Sequence, residues 1–245
     1  TATLDFATLK LAATGLALDY TGGLTLGATP TLDGIVALNA ADAQRLLKPG
    51  HELIPILALL GDVDFEATLS GAATAPTLTG IKLKQRGQNL IADYSGNFSL
   101  SGEQALDGTV SISSDNPRAV PAVFGTELAD GTSLNIVAVS GDTKGSALAP
   151  SLRNARFIID ATIATGTVGA DLRGARPRII ADLSTQSLDL TPFLGSGSQQ
   201  QDETPSLNED WDDTPLDLAS LNAIDATVTI AASEIRLDQI TLNDA

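Results

Sequence analysis

The chain has 245 residues, 43% hydrophobic but only 4% aromatic, and its 30 acids against 14 bases give a formal net charge of −16. That length supplies one large or two small domains. The shortage of bases leaves no Lys/Arg stripe to neutralise phosphates, which excludes nucleic-acid binding and predicts a soluble, self-repelling surface. The absence of Cys removes disulfides, zinc fingers and thiol catalysis, and no run of ~18 apolar residues exists to cross a bilayer as a helix.

In chain order, residues 3–27 place Leu4, Phe6, Leu9, Leu11, Leu16, Leu18, Tyr20, Leu24 and Leu26 at loose period-two spacing, broken by Gly and Thr. This predicts a β-meander with one wet face. Residues 41–60 read as short helices, with Asn39 as N-cap, Pro49-Gly50 as a stop and Pro55 as an interruption. Asp62 to Ser70 is the clearest strand. Val63, Phe65, Ala67 and Leu69 fall on one face, and Asp62, Asp64, Glu66, Thr68 and Ser70 on the other.

Further strands are predicted over 80–85 and 90–101, the latter aligning Leu90, Ala92, Tyr94, Phe98 and Leu100. A helical turn is expected at 117–124, followed by strands over 133–139, 156–165 and 178–183. Residues 195–216 lose all periodicity and crowd six acids between 202 and 213, the composition of a partly disordered linker. Residues 217–245 return to strand patterning and predict a hairpin that continues the sheet.

Two blocks recur at one offset. Leu32-Asp33-Gly34-Ile35-Val36-Ala37-Leu38 returns as Leu106-Asp107-Gly108-Thr109-Val110-Ser111-Ile112, and Leu18-Asp19-Tyr20-Thr21-Gly22 returns as Ala92-Asp93-Tyr94-Ser95-Gly96, both 74 residues on (106 minus 32; 92 minus 18). A weaker third copy begins near Pro177. Fixed spacing is the mark of stacked units that bury their apolar faces against neighbours. The predicted fold is therefore mainly β: a repetitive, curved, antiparallel sheet, open and groove-like, with short inserted helices and a repeat of about 72–74 residues. Asp33 and Asp107, each before Gly, are expected to set tight turns.

The chemistry-bearing residues point away from catalysis. His51 is the only histidine and sits in a predicted turn between Gly50 and Glu52, without a triad context. Gly141-Asp142-Thr143-Lys144-Gly145-Ser146 lacks phosphate-loop spacing and reads as a hairpin turn. The acids over 202–213 lack the order of a calcium loop. No catalytic residue, metal ligand or cofactor is predicted.

At the C-terminal end, Trp211-Asp212-Asp213-Thr214-Pro215-Leu216-Asp217-Leu218, then Ile224-Asp225-Ala226-Thr227-Val228 and Glu234-Ile235-Arg236-Leu237, resemble the C-terminal region of AsmA-family proteins, with Thr227 where that pattern carries a second Asp. Ser187-Leu188-Asp189-Leu190-Thr191-Pro192-Phe193-Leu194 and Leu69-Ser70-Gly71 fit the same pattern. The resemblance implies a periplasmic segment held at the inner membrane of a Gram-negative cell by an anchor upstream of Thr1. It further implies kinship to TamB-type bridge-like lipid-transfer proteins and a part in phospholipid transport or outer-membrane biogenesis.

Strand alternation nominates Val63, Phe65, Leu69, Leu90, Tyr94, Phe98, Leu100, Phe157, Ile159 and Ile163 as the lining of an apolar groove. Leu, Ile and Val suit phospholipid acyl chains because they present no polar atom needing a partner. Three alternatives accompany this reading. One is a scaffold that pairs with envelope proteins through a sheet edge, and another is a closed core or sandwich. The third is an outer-membrane barrel, for which one Trp and two Tyr make poor aromatic girdles.

Overall fold

The computed structural model describes residues 2–43, 60–99, 105–117, 135–146, 148–174, 176–189, 225–237 and 240–243. Their strands are β1 (Ala2–Ala13), β2 (Leu16–Leu26), β3 (Thr31–Ala40), β4 (Asp62–Ala72), β5 (Ala75–Arg86), β6 (Ile91–Ser99), β7 (Ala105–Ser114), β8 (Val137–Ser146), β9 (Ala149–Ile159), β10 (Thr162–Asp171), β11 (Arg178–Asp189), β12 (Asp225–Leu237) and β13 (Ile240–Asn243). All thirteen lie in one sheet in chain order, and β1 does not pair with β13, so the sheet is open. No α-helix forms among the described residues. The helices expected near 41–60 and 117–124 fall on residues 44–59 and 118–124, outside the described ones, as do Leu100, His51, Trp211 and the 195–216 segment.

From β1 to β11 every neighbour is antiparallel; short connections join most of these strands, while the longer stretches 41–61 and 115–136 lie between β3 and β4 and between β7 and β8. The expectation of a wholly antiparallel sheet fails at one place: β12 lies parallel to β11, with Arg178 opposite Asp225 and Asp189 opposite Arg236. Parallel neighbours need a crossover of about a dozen residues or more, and residues 190–224 supply that length. β13 then folds back antiparallel on the end of β12.

Three turn assignments are corrected. Asp33-Gly34 and Asp107-Gly108 lie inside β3 and β7, not at turns, and Gly141–Ser146 is part of β8. The glycines serve close approach. Gly22 is paired with Gly34, and Gly96 with Gly108. A tyrosine two positions before the first glycine of each pair lies over them: Tyr20 donates its hydroxyl to Gly23 O at 2.7 Å, and Tyr94 donates to Asn97 O at 3.2 Å. A Cβ on Gly34 would stand 2.9 Å from the Tyr20 ring, and one on Gly96 would stand 2.6 Å from the Tyr94 hydroxyl. An aromatic ring laid across paired glycines restores the packing those residues lack.

The same spacing relates the next hairpins. Gly71 (φ 97°) and Gly145 (φ 112°) both adopt positive φ, and Ala75-Pro76 and Ala149-Pro150 open the strands that follow, each 74 apart (145 minus 71; 149 minus 75). The register shift facing Glu66–Thr68 contains Gly80 at φ 59°, and the shift facing Ser140–Asp142 contains Asn154 at φ 48°. These bulges insert an extra residue, bend the strand and increase its twist.

Candidate functional site

Register settles which side chains share a face. Reading across the sheet, Leu11, Leu18, Leu38, Phe65, Leu83, Tyr94 and Val110 are successive partners, followed by Gly141. Beyond the bulge the row resumes with Ala155, Gly166, Leu183 and Ile230. Twelve strands thus place one apolar or small residue each on a single row. At about 4.8 Å between strands the row is roughly 50 Å long. The adjacent row carries Leu16, Ala40, Val63, Gln85, Ala92, Ile112 and Val139, and continues through Phe157 and Ala164 to Thr185 and Ala232. Among the described residues from β2 to β11, Asp189, at the very end of β11 and opposite Arg236, is the one charged side chain at a paired position on this face.

The opposite face holds the charges. Lys10 meets Asp19 at 3.8 Å, Lys82 meets Glu66 at 3.2 Å, Arg86 meets Asp93 at 2.7 Å and Lys144 meets Asp107 at 3.8 Å. All eight side chains are exposed, so each pair adds little to stability, about 0–1 kcal/mol; their consequence is a hydrated surface.

The candidate lining residues divide as follows. Val63, Phe65, Leu69, Tyr94, Phe98, Phe157 and Ile159 share the apolar face, all half-buried except Ile159 at the rim. Leu90 is buried in the turn before β6, where its carbonyl accepts from Gly87 N at 2.8 Å. Ile163 is a correction: it pairs with Ile158 on the charged face and is 42% exposed. The expected strand over 156–165 is two strands joined by a tight turn at Asp160-Ala161, with Asp160 at φ 50°. A two-residue turn reverses the parity, so even-numbered residues after it continue the face that odd-numbered ones held before.

Polar groups on the apolar face are few. The Tyr94 hydroxyl also donates to Asp107 O at 3.2 Å. Burial raises its pKa above the ordinary phenol value, the Asp107 carboxylate adds to the rise, and the Thr143 hydroxyl opposes it. Among the described residues no group of three or more His, Cys, Asp and Glu is gathered to hold a metal ion, and no helix is long and apolar enough to cross a membrane. Sequence reading missed the Tyr-over-Gly-Gly device, although Tyr20-x-Gly22 and Tyr94-x-Gly96 stood in the recurring blocks as its signal. It also missed the hairpin match, whose signal was Ala75-Pro76-Thr77-Leu78 against Ala149-Pro150-Ser151-Leu152.

Compared with known protein families, curated proteins and solved structures, the chain matches none.

Proposed function

We propose that the apolar face is a trough for phospholipid acyl chains, in a periplasmic segment of an AsmA-like protein anchored at the inner membrane and serving phospholipid transport or outer-membrane biogenesis. The observation that carries this reading is the uncharged row running from Leu11 to Ile230. A face of this extent exceeds the few hundred Å² of contiguous apolar surface that soluble monomers usually present. Acyl chains gain about 0.8 kcal/mol for each methylene withdrawn from water, and the charged opposite face remains hydrated. No side chain on the row is placed to form or break a bond, so the role is passive: tails lie along the trough while headgroups stay in solvent. In this reading the sheet is assembled from units of about 72–74 residues, with short helices inserted between them.

Photo-reactive side chains at Phe65 and Phe98 test it. They capture phospholipid from the envelope, whereas the same groups at Asp64 and Ser95, on the charged face, do not. Equal capture at both pairs of sites rejects the trough.

A scaffold reading rests on a different observation. The outer edge of β1 is unpaired among the described residues, and Phe6 beside it is 77% exposed. A long apolar edge is a template for strand addition. Stoichiometric protein crosslinked at Phe6, together with no lipid at Phe65, decides for that reading.

A further inference from the structure

We propose that the corner formed by the β10–β11 loop and the β8–β9 turn is a membrane-surface contact that recognises anionic lipid headgroups. Three of the chain's 14 bases, Arg173, Arg176 and Arg178, fall within six residues, and all three are exposed. Arg173 holds Asp171 with Nε at 2.8 Å and a terminal nitrogen at 2.9 Å. Arg176 reaches Asp225 at 3.6 Å, and Arg178 stands opposite Asp171 in the strand register. Among the described residues, these three guanidinium groups against two carboxylates leave the corner at +1 (3 minus 2), on a chain whose total is −16.

A second observation points to the same partner. Leu172 donates its backbone N–H to Leu148 O at 2.7 Å, which sets two leucines side by side at the sheet margin, 43% and 53% exposed. Exposed leucines beside arginines are the composition that settles at a headgroup boundary, with the apolar groups entering the interface and the cations meeting phosphate. Screening at physiological salt acts over about 8 Å, so a bilayer meeting this corner responds chiefly to charges close to it and little to the net charge of the whole chain. A guanidinium that now grips a carboxylate through two N–H groups can grip a phosphate in the same fashion. The inference goes beyond the trough: it concerns where a bilayer touches the sheet, and it holds whether or not anything occupies the apolar face.

The test is vesicle flotation of the intact chain at 150 mM salt, comparing phosphatidylcholine vesicles containing about 30% phosphatidylglycerol with phosphatidylcholine alone. The protein is expected to float at least tenfold better with the anionic vesicles. Arg173→Gln/Arg176→Gln/Arg178→Gln should lose at least tenfold, whereas Lys10→Gln/Lys82→Gln/Lys84→Gln, with the same charge change elsewhere, should stay within twofold. Arg→Lys at the three positions should bind between the unchanged chain and the glutamine triple, since the charge stays while the two-pronged grip is lost, and Leu148→Asn/Leu172→Asn should lose tenfold at unchanged charge. These last two variants decide the matter if the glutamine triple fails to fold by circular dichroism. Equal losses in the two glutamine triples, equal flotation with neutral vesicles, unchanged flotation of the leucine variant, or a response to inorganic phosphate without vesicle binding overturns the proposal.

Discussion

Ile179 and Ile180 are consecutive, chemically identical and on the same strand, yet Ile180 is 51% exposed and Ile179 is half-buried. The face accounts for the difference. Ile179 is registered with Ala170 and Ala226 on the apolar side, and Ile180 with Gly169 and Thr227 on the charged side. A flat single layer would expose both alike. Side chains on the apolar side shelter one another, as they do where bulges bend a sheet toward that side. Ile180→Asp should therefore change the urea midpoint by the equivalent of no more than about 0.5 kcal/mol, and Ile179→Asp should cost roughly 1–3 kcal/mol.

The paired glycines predict a steric effect. A Cβ on Gly96 would lie 2.6 Å from Gly108 Cα and 2.6 Å from the Tyr94 hydroxyl, and the first of these is backbone that cannot swing aside. Gly96→Val should destabilise by roughly 2–3 kcal/mol in denaturant unfolding, while valine at exposed Thr109 on the other face should be close to neutral.

The corrected parity at the Asp160-Ala161 turn bears on lipid capture. A photo-reactive group at Ala164, on the trough side, is expected to crosslink phospholipid, and the same group at Ile163 is expected to fail. Capture at Ile163 alone would reverse the assignment of faces beyond β9.

Tyr94 offers a spectroscopic check. In a Tyr20→Phe background its phenol should titrate above 10, because burial disfavours the phenolate. A pKa raised in the folded state contributes stability that is complete below the unfolded value of ~10 and is lost as pH rises through the folded one. Alkaline unfolding should accordingly be less steep in Tyr94→Phe. At neutral pH that variant loses the hydroxyl's bonds to two backbone carbonyls, a cost of about 0.5–1.5 kcal/mol.

Asp171 titrates at the other end of the scale. Its hydrogen bonds from Arg173 hold the carboxyl at about 2, well below the usual aspartate range. The stabilisation from such a depressed group is present above the unfolded pKa and disappears as pH falls through about 2. Carboxyl resonances followed by NMR should place the Asp171 midpoint near 2, and Arg173→Gln should move it up toward ~3.9.

Much of this arrangement was legible in particular residues. Asp62 to Ser70 alternates without interruption, which by itself sets Phe65 and Asp64 on opposite faces. Alternation over 90–101 likewise aligns Tyr94 with Phe98, and the register then sets both on the Phe65 face. Parity is also where sequence reading broke down. Asp160 takes a left-handed backbone without the Gly that usually announces one, so the turn passed unseen and Ile163 was assigned to the wrong face. Gly34 and Gly108 suggested turns because glycine weakens a strand, yet here each lies under a tyrosine that makes good the missing packing. The parallel entry of β12 was hidden because alternation specifies which way a side chain faces and carries no information on which way a strand runs.

None of the described large side chains is fully buried, and the substantial contacts run between strands adjacent in the sheet. Such an object has no keystone. Each strand is secured by the two beside it, so a lesion at Leu38 is felt at Leu18 and Phe65 and fades within a few rungs. Heat should unzip the sheet from its margins inward, shedding β13 and β1 while the middle still holds.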